Sequence, residues 1–339
     1  HIGERIATNR AFGALAGSDY VINETKTLLS ERAALTELTE RQLEKVLLSA
    51  AQYPGTIPDV VDARIEHEAK QSAILDSFTY CAERGEDGCR KKATPNQIDG
   101  TLRRSHDLKE RRITWELSKQ VGPPLKPGLV KLRNLRNRVA SEMGYDSFFA
   151  LQVADYGMSV DEMMVMMESF ISDLKPLYEQ LHCWTKYELA ERYREPPPKL
   201  IPAHSIGNRW AQAWPGLTKA ADLDPLFADK SPKWIVEQGE RFYTSLGMQA
   251  LPDSFWQKSD LYQLPAETTR KKNTHASAWH LNLDKDVRSL MSVEAYYRLF
   301  QTSHHELGHV YYFLAYSTPA VPLTLREGAN RAFHEAVGD

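Results

Sequence analysis

Apolar positions recur along most of this chain at three- and four-residue spacing, so helices dominate the expected architecture. From Glu4 to about Ala51 the pattern is helical, with Thr39 and Gln42 forming a capping box ahead of Leu43, Val46 and Leu47. Tyr53-Pro54-Gly55 reads as a turn, and a further helix is expected over roughly 60–80. Pro123, Pro124 and Pro127 read as a linker. A second capping box, Ser159 with Glu162, precedes Met163, Met164, Met166 and Met167, a stripe that fits core filling. Pro196-Pro197-Pro198 ends the helix after it. The strongest run is Ser292 to Tyr316, which holds no proline and only one glycine, Gly308. Its apolar residues Val293, Tyr296, Tyr297, Phe300, Leu307, Val310, Tyr311 and Leu314 keep helical spacing. Ser292 is the expected N-cap, and Pro319 lies just past the end.

The 339 residues are 42% hydrophobic, enough for a large core in one large domain or two smaller ones. Lys+Arg is 42 against Asp+Glu 45, a formal charge of −3, which calls for neither nucleic acid nor an anionic membrane. The basic clusters Arg103, Arg104, Arg111, Arg112 and Lys131 to Arg138 are read as solvated helix faces, because aromatics do not interleave with them. No apolar stretch is long enough to span a bilayer. The chain starts at His1 and shows no signal peptide, so a trimmed, mature start is expected.

The chemistry sits inside the strong helical run. His305 and His309 of HELGH are four apart, so on a helix both imidazoles share one face. Two such rings can bind one metal ion, and Glu306 can reach a water upon it. Zinc suits a site of His and carboxylate ligands with one position kept for water. Burying these groups on an apolar helix without a partner would be costly. A third ligand is needed. Asn330 can cap a second helix in which Glu335 and Asp339 face one way. Glu335 fits as that ligand and Asp339 as the acceptor for a ligating imidazole. His334 and Glu327 are rivals that spacing does not exclude. Ala276 and Ala278 leave the backbone of THASAW open to an added peptide strand, and His275 could donate to a substrate carbonyl. Cys81 and Cys89 bracket a polar segment, and the spacing is compatible equally with a local bridge and with two thiols. Cys183 reads as a buried thiol.

HHELGH, LREGAN and FHEAVGD together resemble the angiotensin-converting-enzyme family of zinc peptidases. The IPAHSIGNRWAQAW stretch (Ile201 to Trp214), the THASAW stretch (Thr274 to Trp279) and the segment Phe242 to Trp256 are similar as well. The resemblance is specific from about Ile201 to Asp339 and diffuse before it. It implies a mainly α fold, a large helical gluzincin-type peptidase with a deep central cleft and a small β segment beside the zinc site. It implies His305, His309 and Glu335 as zinc ligands, Glu306 as general base, and His275 and Ala276 as substrate-binding residues. It also implies a Cys81–Cys89 disulfide and hence an extracellular or periplasmic home. The expected activity is release of C-terminal dipeptides from peptides with a free C-terminus. The chain is expected to be a single domain, with N-terminal helices over 1–200 and the cleft and zinc portion over 201–339. The C-terminal remainder of that domain, expected beyond Asp339, would supply the oxyanion and carboxylate-binding groups. Where the family carries a carboxylate-binding Gln, a loose alignment lands on Ala228 to Lys230. Lys230 would suit a pocket that removes single residues, the alternative activity. A non-catalytic binding scaffold is the alternative from another class. The family's cysteine before HASAW is replaced by Thr274 in this chain. Chloride dependence is not readable.

Overall fold

The computed structural model describes residues 2–211, 214, 223–265, 272 and 275–339. Its elements in chain order are α1 (Ile2–Ala16), α2 (Asp19–Ser30), α3 (Glu37–Ala50), α4 (Pro58–Ser77), β1 (Tyr80–Gly85), β2 (Gly88–Ala93), α5 (Pro95–Arg104), α6 (Leu108–Ser118), α7 (Gly122–Glu142), α8 (Phe148–Val153) and α9 (Val160–Tyr193). After these come α10 (Pro232–Ser245), α11 (Asp253–Lys258), β3 (Asp260–Tyr262), β4 (Ser277–His280), β5 (Val287–Val293), α12 (Tyr297–Tyr316) and α13 (Arg331–Gly338). The fold is mainly α, as the spacing of apolar residues requires. None of the described helices is long and apolar enough to cross a membrane.

The chain forms two compact units. One holds His1–Asp19 and Ala50–Ala220, the other Tyr20–Ser49 and Ala221–Asp339. In the first unit, Val61 and Ile65 of α4 bury against Val139 of α7, with Ile6 of α1 and Tyr53 packed on them. A second cluster joins Tyr80 of β1 to Ile98 and Leu102 of α5 and to Leu117 and Val121. Arg111 does not lie on a solvated face. It is buried and donates to the carbonyls of Leu102, Ser105, His204 and Ile206 at 2.6–3.0 Å. Four backbone acceptors replace the water that a buried guanidinium gives up.

Several local expectations do not hold. The prolines at 123, 124 and 127 belong to α7, not to a linker. Pro123 and Pro124 stand in its first turn, where the missing proline N–H has no partner to lose. The cap ahead of α3 is Thr36, whose Oγ1 accepts from Thr39 N at 3.2 Å. In the methionine stripe only Met163 is buried, while Met164 and Met167 are exposed. Cys183 is exposed as well. The box at Ser159 and Glu162 forms as expected at the start of α9, and α9 ends at Tyr193, ahead of the proline run. Between Cys81 and Cys89 the chain is a β-hairpin, β1 against β2, with the two sulfurs bonded.

The second unit carries the chemistry. Its core joins Ile235, Val236 and Tyr243 of α10, Phe255 of α11, Leu261 of β3, Val287, Met291 and Val293 of β5, and Leu307, Val310 and Tyr311 of α12. The sheet order is β3-β5-β4, with β3 parallel and β4 antiparallel to β5. Ser292 is not a helix cap. It lies in β5, where Val287, Ser289, Met291 and Val293 alternate inward with period two. The helix starts five residues later, at Tyr297, whose backbone N–H donates to Asp224 Oδ1 at 3.0 Å.

Candidate metal centre

The centre is made where α12 meets α13. Asn330 caps α13, its side chain accepting from Phe333 N at 2.9 Å. The two helices touch through glycine. A Cβ on Gly308 would stand 2.6 Å from Gly338 Cα and 2.7 Å from Val337 O. A Cβ on Gly338 would meet His305 Nδ1 at 2.8 Å. Tyr243 Oη from α10 reaches both helices, 3.1 Å from His304 O and 3.4 Å from Val337 O. Small residues at the crossing let the carboxylates of α13 come down onto the imidazoles of α12.

His305, His309 and Glu335 each bring one donor atom into a group spanning less than 4.8 Å. His305 Nε2 and His309 Nε2 are 3.1 Å apart. Glu335 Oε2 lies 3.3 Å from the first and 3.7 Å from the second. The second nitrogen of each ring is engaged elsewhere. His305 Nδ1 donates to Asp339 Oδ1 at 2.8 Å, and His309 Nδ1 stands 2.7 Å from His334 Nδ1. With its proton held by Asp339, His305 turns a lone pair toward a carboxylate oxygen and a second imidazole. Electron-rich donors converging at such distances fit a cation between them. Two nitrogens and one carboxylate oxygen are a donor set that zinc accepts, with a fourth position left over.

Glu306 is buried, with Oε2 lacking a hydrogen-bond partner among the described residues. Burial pushes its carboxyl up to about 7, His305 opposes the rise, and the Glu335 charge adds to it. A cation nearby would draw it down again. His309 has its proton affinity lowered, first by burial and then by His305, which favours the neutral ring that a metal needs.

The rival ligands separate. Glu327 is exposed and outside the cluster, and His334 backs His309 instead of joining the donors. His275 is exposed just before β4, and Ala276 packs against the core of the unit. Among the described residues β4 pairs on one side only, with β5. Thr274 lies outside the described residues. Lys230 is paired with Asp229 at 2.9 Å and sits over the Trp234 ring. Sequence reasoning missed the glycine crossing and the Tyr243 clamp. Gly308 inside HELGH and Gly338, three residues past Glu335, were the visible signs of the former.

Comparison with known proteins matches residues 26–339 to the peptidase family described as angiotensin-converting enzyme. The angiotensin-converting enzyme of Haematobia irritans exigua is 31% identical over 261 residues, 72% of this chain and 41% of that protein. That of Theromyzon tessulatum is 32% identical over 260 residues, 71% of this chain and 41% of that protein. The Rattus norvegicus enzyme is 33% identical over 234 residues, 65% of this chain and 17% of its own length. The chain therefore spans well under half the length of these relatives. With a match over nearly all of its residues, it belongs to the angiotensin-converting-enzyme family of peptidases.

Proposed function

We propose that this chain is the zinc-bearing part of a metallopeptidase that releases dipeptides from the C-termini of peptides. The observation that carries the reading is the convergence of His305, His309 and Glu335, with His305 already braced by Asp339. When bound, zinc would supply a Lewis acid and ease the ionisation of a water molecule. His305, His309 and Glu335 would hold it. Glu306 is the general base. It takes the proton of the attacking water on Oε2, which has no hydrogen-bond partner among the described residues, and passes it to the departing amine. Its carboxyl is buried beside His305 on the same helix, next to the group of residues that would hold the ion.

Substrate lies along the edge of β4 that no strand pairs among the described residues, joined by main-chain hydrogen bonds, with His275 and Ala276 at the start of that edge. We assign the two compact units to one peptidase domain. We also assign the oxyanion donors and the grip on the substrate's terminal carboxylate to polypeptide of the relatives' greater length. The Cys81–Cys89 bridge supports an oxidising compartment, extracellular or periplasmic.

The test is elemental analysis beside hydrolysis of a blocked tripeptide by the full polypeptide. One zinc per chain and a dipeptide product are expected. A single released amino acid would replace dipeptide release with carboxypeptidase action. Zinc without any turnover would leave a binding scaffold.

A further inference from the structure

Each ligating imidazole has a second nitrogen, and what that nitrogen meets decides which tautomer the ring adopts. His305 meets a carboxylate, Asp339, which can only accept when ionised. His309 meets another imidazole. Its Nδ1 is 2.7 Å from His334 Nδ1, a separation that allows one proton between the two nitrogens. Two arrangements are open. If His334 donates, His309 carries its own proton on Nε2 and aims it at His305 Nε2 and Glu335, so no lone pair faces the metal position. If His309 donates, its Nε2 lone pair joins the cluster, and His334 carries its proton on its own Nε2, which is buried without a partner among the described residues.

The ring of His334 is not free to choose its pose. It packs against Phe313 and Tyr312 with centroids 4.8 and 4.9 Å away, and against Tyr316 at 6.3 Å. These aromatics belong to the last turns of α12, beyond His309, so the same helix that presents His309 also walls in its partner. Building a partnerless polar nitrogen into that wall is unfavourable by itself. It is accounted for if the opposite nitrogen has work to do at His309.

We propose that His334 is a positioning residue that holds His309 in its Nδ1–H tautomer and presents the His309 Nε2 lone pair to zinc. This rests on the zinc reading of the site. His334 then does for His309 what Asp339 does for His305, but as a neutral acceptor. The short helix α13 and its C-cap supply one ligand and both braces.

Two measurements test it, neither of them turnover. The first is a long-range proton–nitrogen spectrum of zinc-loaded protein with labelled histidines. It should show His334 bare at Nδ1 and protonated at Nε2. A proton on His334 Nδ1 overturns the proposal. The second is the zinc dissociation constant by chelator competition. His334→Phe keeps the ring and removes the acceptor, and should weaken zinc by roughly 10–100-fold, as other outer partners do. His334→Asn keeps an acceptor near the Nδ1 position and should recover much of that loss. Unchanged affinity in His334→Phe, or equal loss in both variants, overturns the proposal. If neither variant folds, the spectrum of the parent protein decides alone. A parent protein that takes no zinc overturns the underlying site reading as well. Tight zinc binding that is indifferent to His334 overturns only the bracing role of that residue.

Discussion

At the scale of single residues, two carboxylates close in space have separate assigned tasks. Glu306 is buried on α12, and Glu335 is exposed on α13 with one oxygen between two imidazoles. Glu306→Gln keeps shape and removes the proposed base. Zinc content should stay near that of the parent while kcat falls about 10²–10⁴-fold. Glu335→Gln should instead lose zinc, because an amide oxygen is a poorer ligand than a carboxylate. Elemental analysis and turnover on the same preparations separate the two, and Glu306→Gln without zinc would contradict the assignment. His280 supports a pH prediction. Burial lowers its proton affinity, the Asp284 carbonyl opposes that, and Arg326 adds to the lowering. It also faces the Phe313 ring and Ser317 Oγ. A neutral ring in the folded state and an ordinary one in the unfolded state mean that unfolding takes up a proton. The stability that His280 contributes is present above about pH 6.5 and declines as pH falls through that value. The denaturant midpoint should therefore drop between pH 7 and pH 5, and His280→Asn should flatten that drop.

Between elements, the crossing of α12 and α13 decides whether the donors meet. Gly308 lies within HELGH, where the spacing of the histidines would hold with any residue. Its tertiary role is to let Gly338 and Val337 approach. Tyr243 pins the same crossing from α10. Gly308→Ala puts a methyl group against backbone that has little freedom to move. Overpacking of this kind costs about 1–3 kcal/mol. The melting temperature should fall, and zinc affinity should fall with it, since Glu335 and Asp339 travel with α13. A variant with parent zinc affinity would show that the helices can separate without moving the proposed ligands. Helix periodicity identified α12 itself, but placed its start too early. The expected helix absorbed Ser292 and Val293, which alternate into the sheet as part of β5. Val293 satisfies both periods, and only its strand neighbours decide between them.

For the molecule as a whole, the disulfide is the simplest feature to check. With Cys81 bonded to Cys89 and Cys183 exposed, thiol labelling without reductant should modify one cysteine per chain, in the native state as well as in denaturant. Three modified cysteines in denaturant would remove the case for an oxidising compartment. The exposed thiol was not legible in advance. Cys183 sits among apolar residues of α9, and Leu181 and Trp184 beside it are exposed too. Local hydrophobicity reports what a helix could bury, not what packs against it.

The sequence by itself determined the helical class, the i, i+4 pair His305 and His309, and the cap at Asn330 that starts α13. These follow from relations within a few residues, where helix geometry converts spacing directly into position. It also proposed Glu335 as the third ligand, a choice that rested on the family resemblance, while spacing alone left His334 and Glu327 as rivals. Which of the three stands beside both imidazoles belongs to tertiary structure. It depends on the angle and closeness with which α13 crosses α12, set by Gly308, Gly338 and Tyr243, which lie far apart in the chain. The same crossing turns Glu335 toward the imidazoles, brings Asp339 to His305 and stands His334 behind His309. Arg111 shows the same limit far from the site. Nothing in its neighbours along the chain distinguishes it from Arg112, yet one is buried on four carbonyls and the other pairs with Glu116 at the surface. Which of two adjacent side chains faces inward is decided by the segments that fold over them, and for Arg111 these include His204 and Ile206, more than ninety residues away in the chain.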